Sequence, residues 1–172
     1  MKKIVLVFGL ISGVIITGMM LFMANKCYTN PEFESNDVVG YALMIAAFSF
    51  IFVGIKTFRD KQNGGVIGFG KAFLTGLYIS LIAATMYVVV WLFDYYLFMP
   101  DYLDKYSQHV MYMAKIGSAN EQELAAKATE MATFADMYQN PLAVVLITFS
   151  EVFPIGLVIS LVSALILKRK QP

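Results

Sequence analysis

Long apolar blocks separated by short polar joints set the plan of this chain. A bilayer core about 30 Å thick takes about 20 apolar residues as a helix, and each backbone group left unbonded in hydrocarbon costs several kcal/mol. Four blocks meet that length: 4–23, 38–55, 72–98 and 142–167. The second is near the lower limit, although Tyr41 and Phe58 extend its contact with the two interfaces. The pattern predicts an all-α chain, one integral membrane domain over 1–172, built as a polytopic four-helix transmembrane bundle.

The first block follows Lys2 and Lys3, as a secretion signal would, but it outruns the roughly 7 to 15 apolar residues of such a signal. It leads into Phe22-Met23-Ala24-Asn25-Lys26-Cys27 with no small-x-small cleavage site, and Lys26 before Cys27 spoils a lipoprotein motif. It is therefore read as a membrane anchor.

The one sizeable polar stretch, 101–140, predicts an extracytoplasmic helical hairpin between the third and fourth spans. Leu103, Tyr106, Val110 and Met113 recur at helical spacing until Gly117. Ser118-Ala119-Asn120-Glu121 has the form of a capping box, and Leu124, Ala128, Met131, Ala135 and Tyr138 continue a second apolar stripe up to Asn140-Pro141. Each stripe needs a partner: the other helix, the membrane surface or another protein.

Composition sharpens this picture. Apolar residues make up 59% of the chain and charged ones 15%, with a mean hydropathy of +0.67. Soluble domains hold about 45 to 50% and about 25%, so an ordinary water-soluble fold is excluded. A net charge of +1 leaves no basic surplus for nucleic acid. One cysteine, Cys27, forms no internal disulfide, and one histidine, His109, builds no metal site alone; His109 reads as an ordinary polar position of the hairpin. No catalytic constellation and no cofactor motif can be assembled, so an enzyme is not expected.

The cations orient the chain, because Lys and Arg near span ends stay on the cytoplasmic side. Lys2, Lys3, Lys56, Arg59, Lys61, Lys71, Lys168, Arg169 and Lys170 fall on one side, against Lys26, Lys105, Lys115 and Lys127 on the other. Both termini are expected in the cytoplasm.

Glu151 stands out as a candidate intramembrane polar site, nine residues into the fourth span, where an acid must be protonated, paired or hydrated. Pro154 loosens the helix at the carbonyl of Ser150, so Thr148, Ser150 and Glu151 would suit a proton or cation relay. The preferred reading is simpler: a protonated acid hydrogen-bonded to a neighbouring helix through Tyr87 or Thr85. Asp94 reads as interfacial, in an aromatic belt with Trp91, Tyr95 and Tyr96. Gly9 and Gly13, and then Gly156, Ser160 and Ala164, form small-x-x-x-small patterns that fit packing within the chain or between copies.

Gly65-Val66-Ile67-Gly68-Phe69-Gly70-Lys71 satisfies seven positions of a phosphate-binding loop. Ala72 stands where the magnesium-binding hydroxyl is needed, and no strand precedes it. The segment is read instead as a cytoplasmic turn from Asp60 to Gly70, with Lys56, Arg59 and Lys71 near anionic headgroups.

Three stretches carry a family resemblance: Gly54-Ile55-Lys56-Thr57-Phe58-Arg59-Asp60, Gly64-Gly65-Val66-Ile67-Gly68-Phe69-Gly70-Lys71-Ala72-Phe73, and Ile159-Ser160-Leu161-Val162-Ser163-Ala164-Leu165-Ile166-Leu167-Lys168. Together they resemble an uncharacterised bacterial membrane family, domain of unknown function 4199, over essentially the whole chain. The resemblance implies four spans, cytoplasmic ends and an external helical segment, and it implies no activity.

The resulting expectation is a non-enzymatic accessory or assembly protein of the bacterial inner membrane. Its partners would be the lipid bilayer and another membrane protein or another copy of itself. The alternative is a small proton- or cation-coupled transporter that works as an oligomer through Glu151 and needs that residue in a polar cavity.

Overall fold

The computed structural model describes residues 1–34 and 36–169. Six helices follow in order: α1 (Lys2–Thr29), α2 (Asp37–Gln62), α3 (Phe69–Leu97), α4 (Tyr102–Ile116), α5 (Glu121–Tyr138) and α6 (Pro141–Leu167). Helices α1, α2, α3 and α6 are long and apolar enough to cross a membrane. Helices α1 and α2 run several residues past the C-terminal ends of their apolar blocks, and α3 starts three residues before its own, because helical hydrogen bonding continues into the interfacial residues. At 1.5 Å per residue these helices are about 40 Å long, enough to reach through the headgroup layers.

The four spans form a square in which α1 runs parallel to α3 and α2 parallel to α6, the two pairs pointing in opposite directions. Helix α3 lies between α1 and α6, and α2 closes the fourth side against the same two helices. Small residues permit these contacts. Gly9 sits against Ile82 and Gly13 against Met86, so the first small-residue pair packs α1 on α3 within the chain. Gly156 faces Ser80, Gly76 faces Ser160, and the two serine hydroxyls lie 3.0 Å apart. Ala164 is fully buried in the same core.

The start of α1 and the end of α6 lie at one end of the square, where the Met1 amine donates to Gln62 Oε1. Arg59 Nη1 donates to the Leu167 carbonyl at 3.4 Å, and the backbones of Ile67 and Arg169 bond reciprocally at 3.0 and 2.8 Å. The expected turn over 60–70 is tighter than its sequence suggested. Helix α2 continues through Gln62, and Gly64 and Gly65 then supply the positive φ values of 65° and 78° that reverse the chain. Lys71 donates to Asn63 Oδ1 at 2.7 Å and lies over the Phe58 ring, while Arg59 pairs with Asp60 at 2.7 Å and Lys56 is exposed. Of the nine cations expected on one side, Lys170 lies outside the described residues; the others cluster at this terminal end.

At the opposite end α4 and α5 form the predicted hairpin and dock on the bundle, α4 against α1 and α5 against α6. The capping box is shifted from its expected place. Ser118 has φ 63°, the left-handed conformation that closes α4, so it cannot open the next helix. Asn120 does so: its side chain accepts from the Glu123 amide at 3.0 Å, and Glu123 accepts from the Asn120 amide at 2.9 Å.

Candidate functional site: a cavity beneath the hairpin

Two packed regions divide the bundle. From the middle to the terminal end the core is dense: Phe48, Ile51, Ile55, Ile79 and Val152 are fully buried. Under the hairpin a second, smaller cluster of Met20, Ala24, Trp91, Met99, Tyr138 and Val144 adjoins a cavity of about 520 Å³. That volume falls within the range of small-molecule sites, about 300 to 1,000 Å³.

Helical periodicity chooses the walls. Met20, Met23, Ala24 and Cys27 lie on one face of α1, and Tyr87 and Trp91, four apart, on α3. Helix α4 presents Tyr102, Tyr106, His109 and Met113, and α5 presents Lys127, Met131, Phe134 and Tyr138. Thr148 and Glu151, three apart on α6, complete the wall. Glu151 lies ten residues below Pro141, about 15 Å along the helix, so the cavity reaches half-way into the bundle.

Glu151 is exposed, between Ser150 and the buried Val152, and lines this space; it forms no hydrogen bond or ion pair with the described residues. Tyr87 shares the cavity and feels the carboxylate electrostatically, but no hydrogen bond joins them. Thr85 is directed away, into a shallow apolar groove on the exposed side of α3, so it is no partner for Glu151. The expected set of polar residues on α6 also divides. Thr148 and Glu151 face the cavity, whereas Ser150 lies on the exposed face and donates to its own helix at the Ile147 carbonyl, 2.7 Å away. Pro154 is exposed on that same face.

Part of the wall is a connected run of aromatic rings. Trp91 meets Tyr102 edge-on at 4.8 Å, Tyr102 stacks on Tyr106 at 5.7 Å, and Phe134 meets Tyr138 at 4.5 Å. Thr148 Oγ1 and Trp91 Nε1 are buried without a well-formed hydrogen bond, yet both approach the Tyr138 hydroxyl closely enough to favour its ionised form slightly. Burial, followed by the field of Glu151, has the larger effect and pushes the Tyr138 phenol up to about 12. Burial likewise raises the Tyr102 phenol well above its ordinary value.

His109 is buried, and not an ordinary polar position of the hairpin. Its Nδ1–H donates to the Pro31 carbonyl at 2.9 Å, which ties α4 to the joint between α1 and α2. A second tie is the Tyr28 hydroxyl donating to the Asp101 carboxylate, with Lys105 over the Tyr28 ring at 4.2 Å. The Tyr28 bond holds the Asp101 carboxyl below the usual carboxylate range. Asp94, near the end of α3, has one buried carboxylate oxygen without a partner and lies outside the cavity wall.

These features define a four-span helical membrane bundle with a docked hairpin and a half-depth cavity. The chain belongs to the family described as "Protein of unknown function (DUF4199)", which it matches over residues 6–169. No curated protein and no solved structure matches it.

Proposed function

We propose that this protein is a non-enzymatic accessory protein of a bacterial inner membrane that works by binding a small molecule or headgroup from its hairpin side. In this reading both termini are cytoplasmic, consistent with the clustering of cations at the terminal end. The observation that carries the reading is the unpartnered Glu151 carboxylate opening into a cavity roofed by α4 and α5. An intramembrane acid is costly and marks function more often than packing. The dense core below, around Phe48, Ile79 and Val152, supports entry from one side only.

Transport by an oligomer is a second reading. Glu151 meets its requirement for a cavity, and Pro154 places a flexible point of α6 three residues away. Vesicles of sorted orientation separate the two. One-sided binding predicts that solutes perturb the emission of Trp91, the single tryptophan, from the hairpin side and do not cross. Flux that disappears in Glu151→Gln would replace this reading with transport.

A further inference from the structure

The proposed binding role leaves open what the cavity accepts, and its walls narrow the answer. One end is the carboxylate of Glu151, and the rings of Tyr87, Trp91, Tyr102 and Tyr138 stand around the same space. The remaining charged wall residues, Lys127 and Glu130, neutralise each other at 2.8 Å, so Glu151 sets the net charge. An anion would therefore meet an unopposed carboxylate at the inner end. A neutral apolar guest would bury that carboxylate without compensation.

A metal ion fits poorly. Hard cations require several oxygen ligands at short range, and among the described residues no three acidic, histidine or cysteine side chains converge. A weakly hydrated organic cation needs only a ring face and one counter-charge, because the π-electron quadrupole replaces lost water. The Tyr102 and Tyr138 phenols, raised above their ordinary value by burial, add no second anion to the wall.

We infer that the cavity beneath the hairpin binds an alkylammonium or quaternary ammonium group, held between the Glu151 carboxylate and the aromatic wall of Trp91, Tyr102 and Tyr138. This rests on the binding role proposed above. The ammonium has two sources. It belongs to a small soluble amine entering past Lys127 and Glu130, or to the headgroup of an amine-bearing lipid. Helix α2 lends no residue to the cavity wall, and no residue from Val38 to Ala46 is buried, which leaves that side to lipid.

Trp91 supplies the readout. The full-length protein, in discs of phosphatidylglycerol, is titrated with tetramethylammonium and choline, with 3,3-dimethylbutan-1-ol as choline's uncharged analogue, and with sodium at matched ionic strength. Binding predicts a saturable change in Trp91 emission for the two ammonium ions alone. Glu151→Gln weakens it at least tenfold while the ligand-free emission and melting temperature stay unchanged. Tyr102→Leu weakens it similarly, and Tyr102→Phe keeps it within about threefold because the ring face survives.

Discs that contain phosphatidylethanolamine distinguish the sources. Competition with choline there, together with retention of one amine lipid per chain, assigns the site to the headgroup; no competition assigns it to the soluble amine. An uncharged analogue that binds as well as choline, or a Glu151→Gln variant of undiminished affinity, overturns the cation site and leaves the binding role standing. If no solute or lipid perturbs Trp91, both fail.

Discussion

Gly156 lies directly opposite Ser80 where α6 crosses α3, so close that a Cβ on the glycine would stand 2.8 Å from the serine hydroxyl oxygen. The relation is reciprocal, since a Cβ on Gly76 would stand 2.9 Å from Ser160. Each glycine admits the other helix's serine, and the two hydroxyls also bond back to the carbonyls of Gly76 and Gly156 at 3.0 and 2.7 Å. In hydrocarbon, where burial of apolar surface gives no drive for association, such close backbone approach supplies the dispersion contacts that hold spans together.

Gly156→Ala should therefore destabilise the bundle by about 1 to 3 kcal/mol, the usual range for overpacking a tight contact, and Gly156→Leu should abolish folded protein. Gly13→Ala should cost less, because the nearest atom is the flexible Sδ of Met86 at 2.9 Å. Gly18, with nothing within 4 Å, is the control: its alanine variant should be neutral or slightly stabilising. Thermal melting in detergent, followed by the monodisperse fraction, checks the order.

Removing the His109 tie should loosen the hairpin before it affects the bundle. The bond to the Pro31 carbonyl is part-buried, so His109→Ala should cost about 0.5 to 1.5 kcal/mol. Limited proteolysis should cut between α4 and α5 faster, while the spans remain protected.

Alkaline pH should undock the hairpin through its buried phenols. Tyr138 is raised from an ordinary value of 10 to about 12, so the folded form holds its proton where an unfolded or undocked one releases it. Stability from this group is complete below pH 10 and is lost as pH rises from 10 towards 12. Tyr102 contributes in the same direction. Hydrogen exchange of α5 between pH 9 and 12, extrapolated for intrinsic rate, should show progressive loss of protection, and Tyr138→Phe should flatten that loss.

At the terminal end, Arg59→Ala should fray the last turn of α6, because the guanidinium caps the Leu167 carbonyl. The effect should be about 0.5 to 1 kcal/mol and local, visible as faster exchange of the last turn of α6 with no change at Trp91.

The spans and the hairpin were legible because their signals are long: unbroken apolar blocks and stripes of period 3.6 depend on no single residue. Local signals misled where two motifs overlapped. Ser118 and Asn120 both precede a glutamate by three, and only the left-handed turn after α4 decides between them. Glu151 could be recognised from its cost in hydrocarbon, but not what faces it. Tyr87 and Thr85 are only two positions apart on α3, and two residues on a helix point to nearly opposite sides, so depth alone could not separate the cavity side from the exposed side.

The cavity wall itself was hidden for a different reason. Tyr102, Tyr106, His109 and Met113 do repeat at helical spacing, yet that stripe overlaps the Leu103 and Val110 positions that also pack, so α4 has a broad apolar face. Which part of it is lined by space depends on how the hairpin docks between α1 and α6. The Gly76 and Ser80 half of the α3 contact was equally obscured, because small residues are common in apolar helices and acquire meaning only opposite Gly156 and Ser160.

The most direct test of the whole account is the reactivity of a cysteine placed at Glu151 in a Cys27→Ser background, in sealed vesicles of known orientation. A small, membrane-impermeant thiosulfonate added on the hairpin side should modify Glu151→Cys, and the same reagent added on the terminal side should not. Equal modification from both sides, or modification only by lipid-soluble reagents, would contradict a cavity that opens beneath the hairpin and closes at half depth.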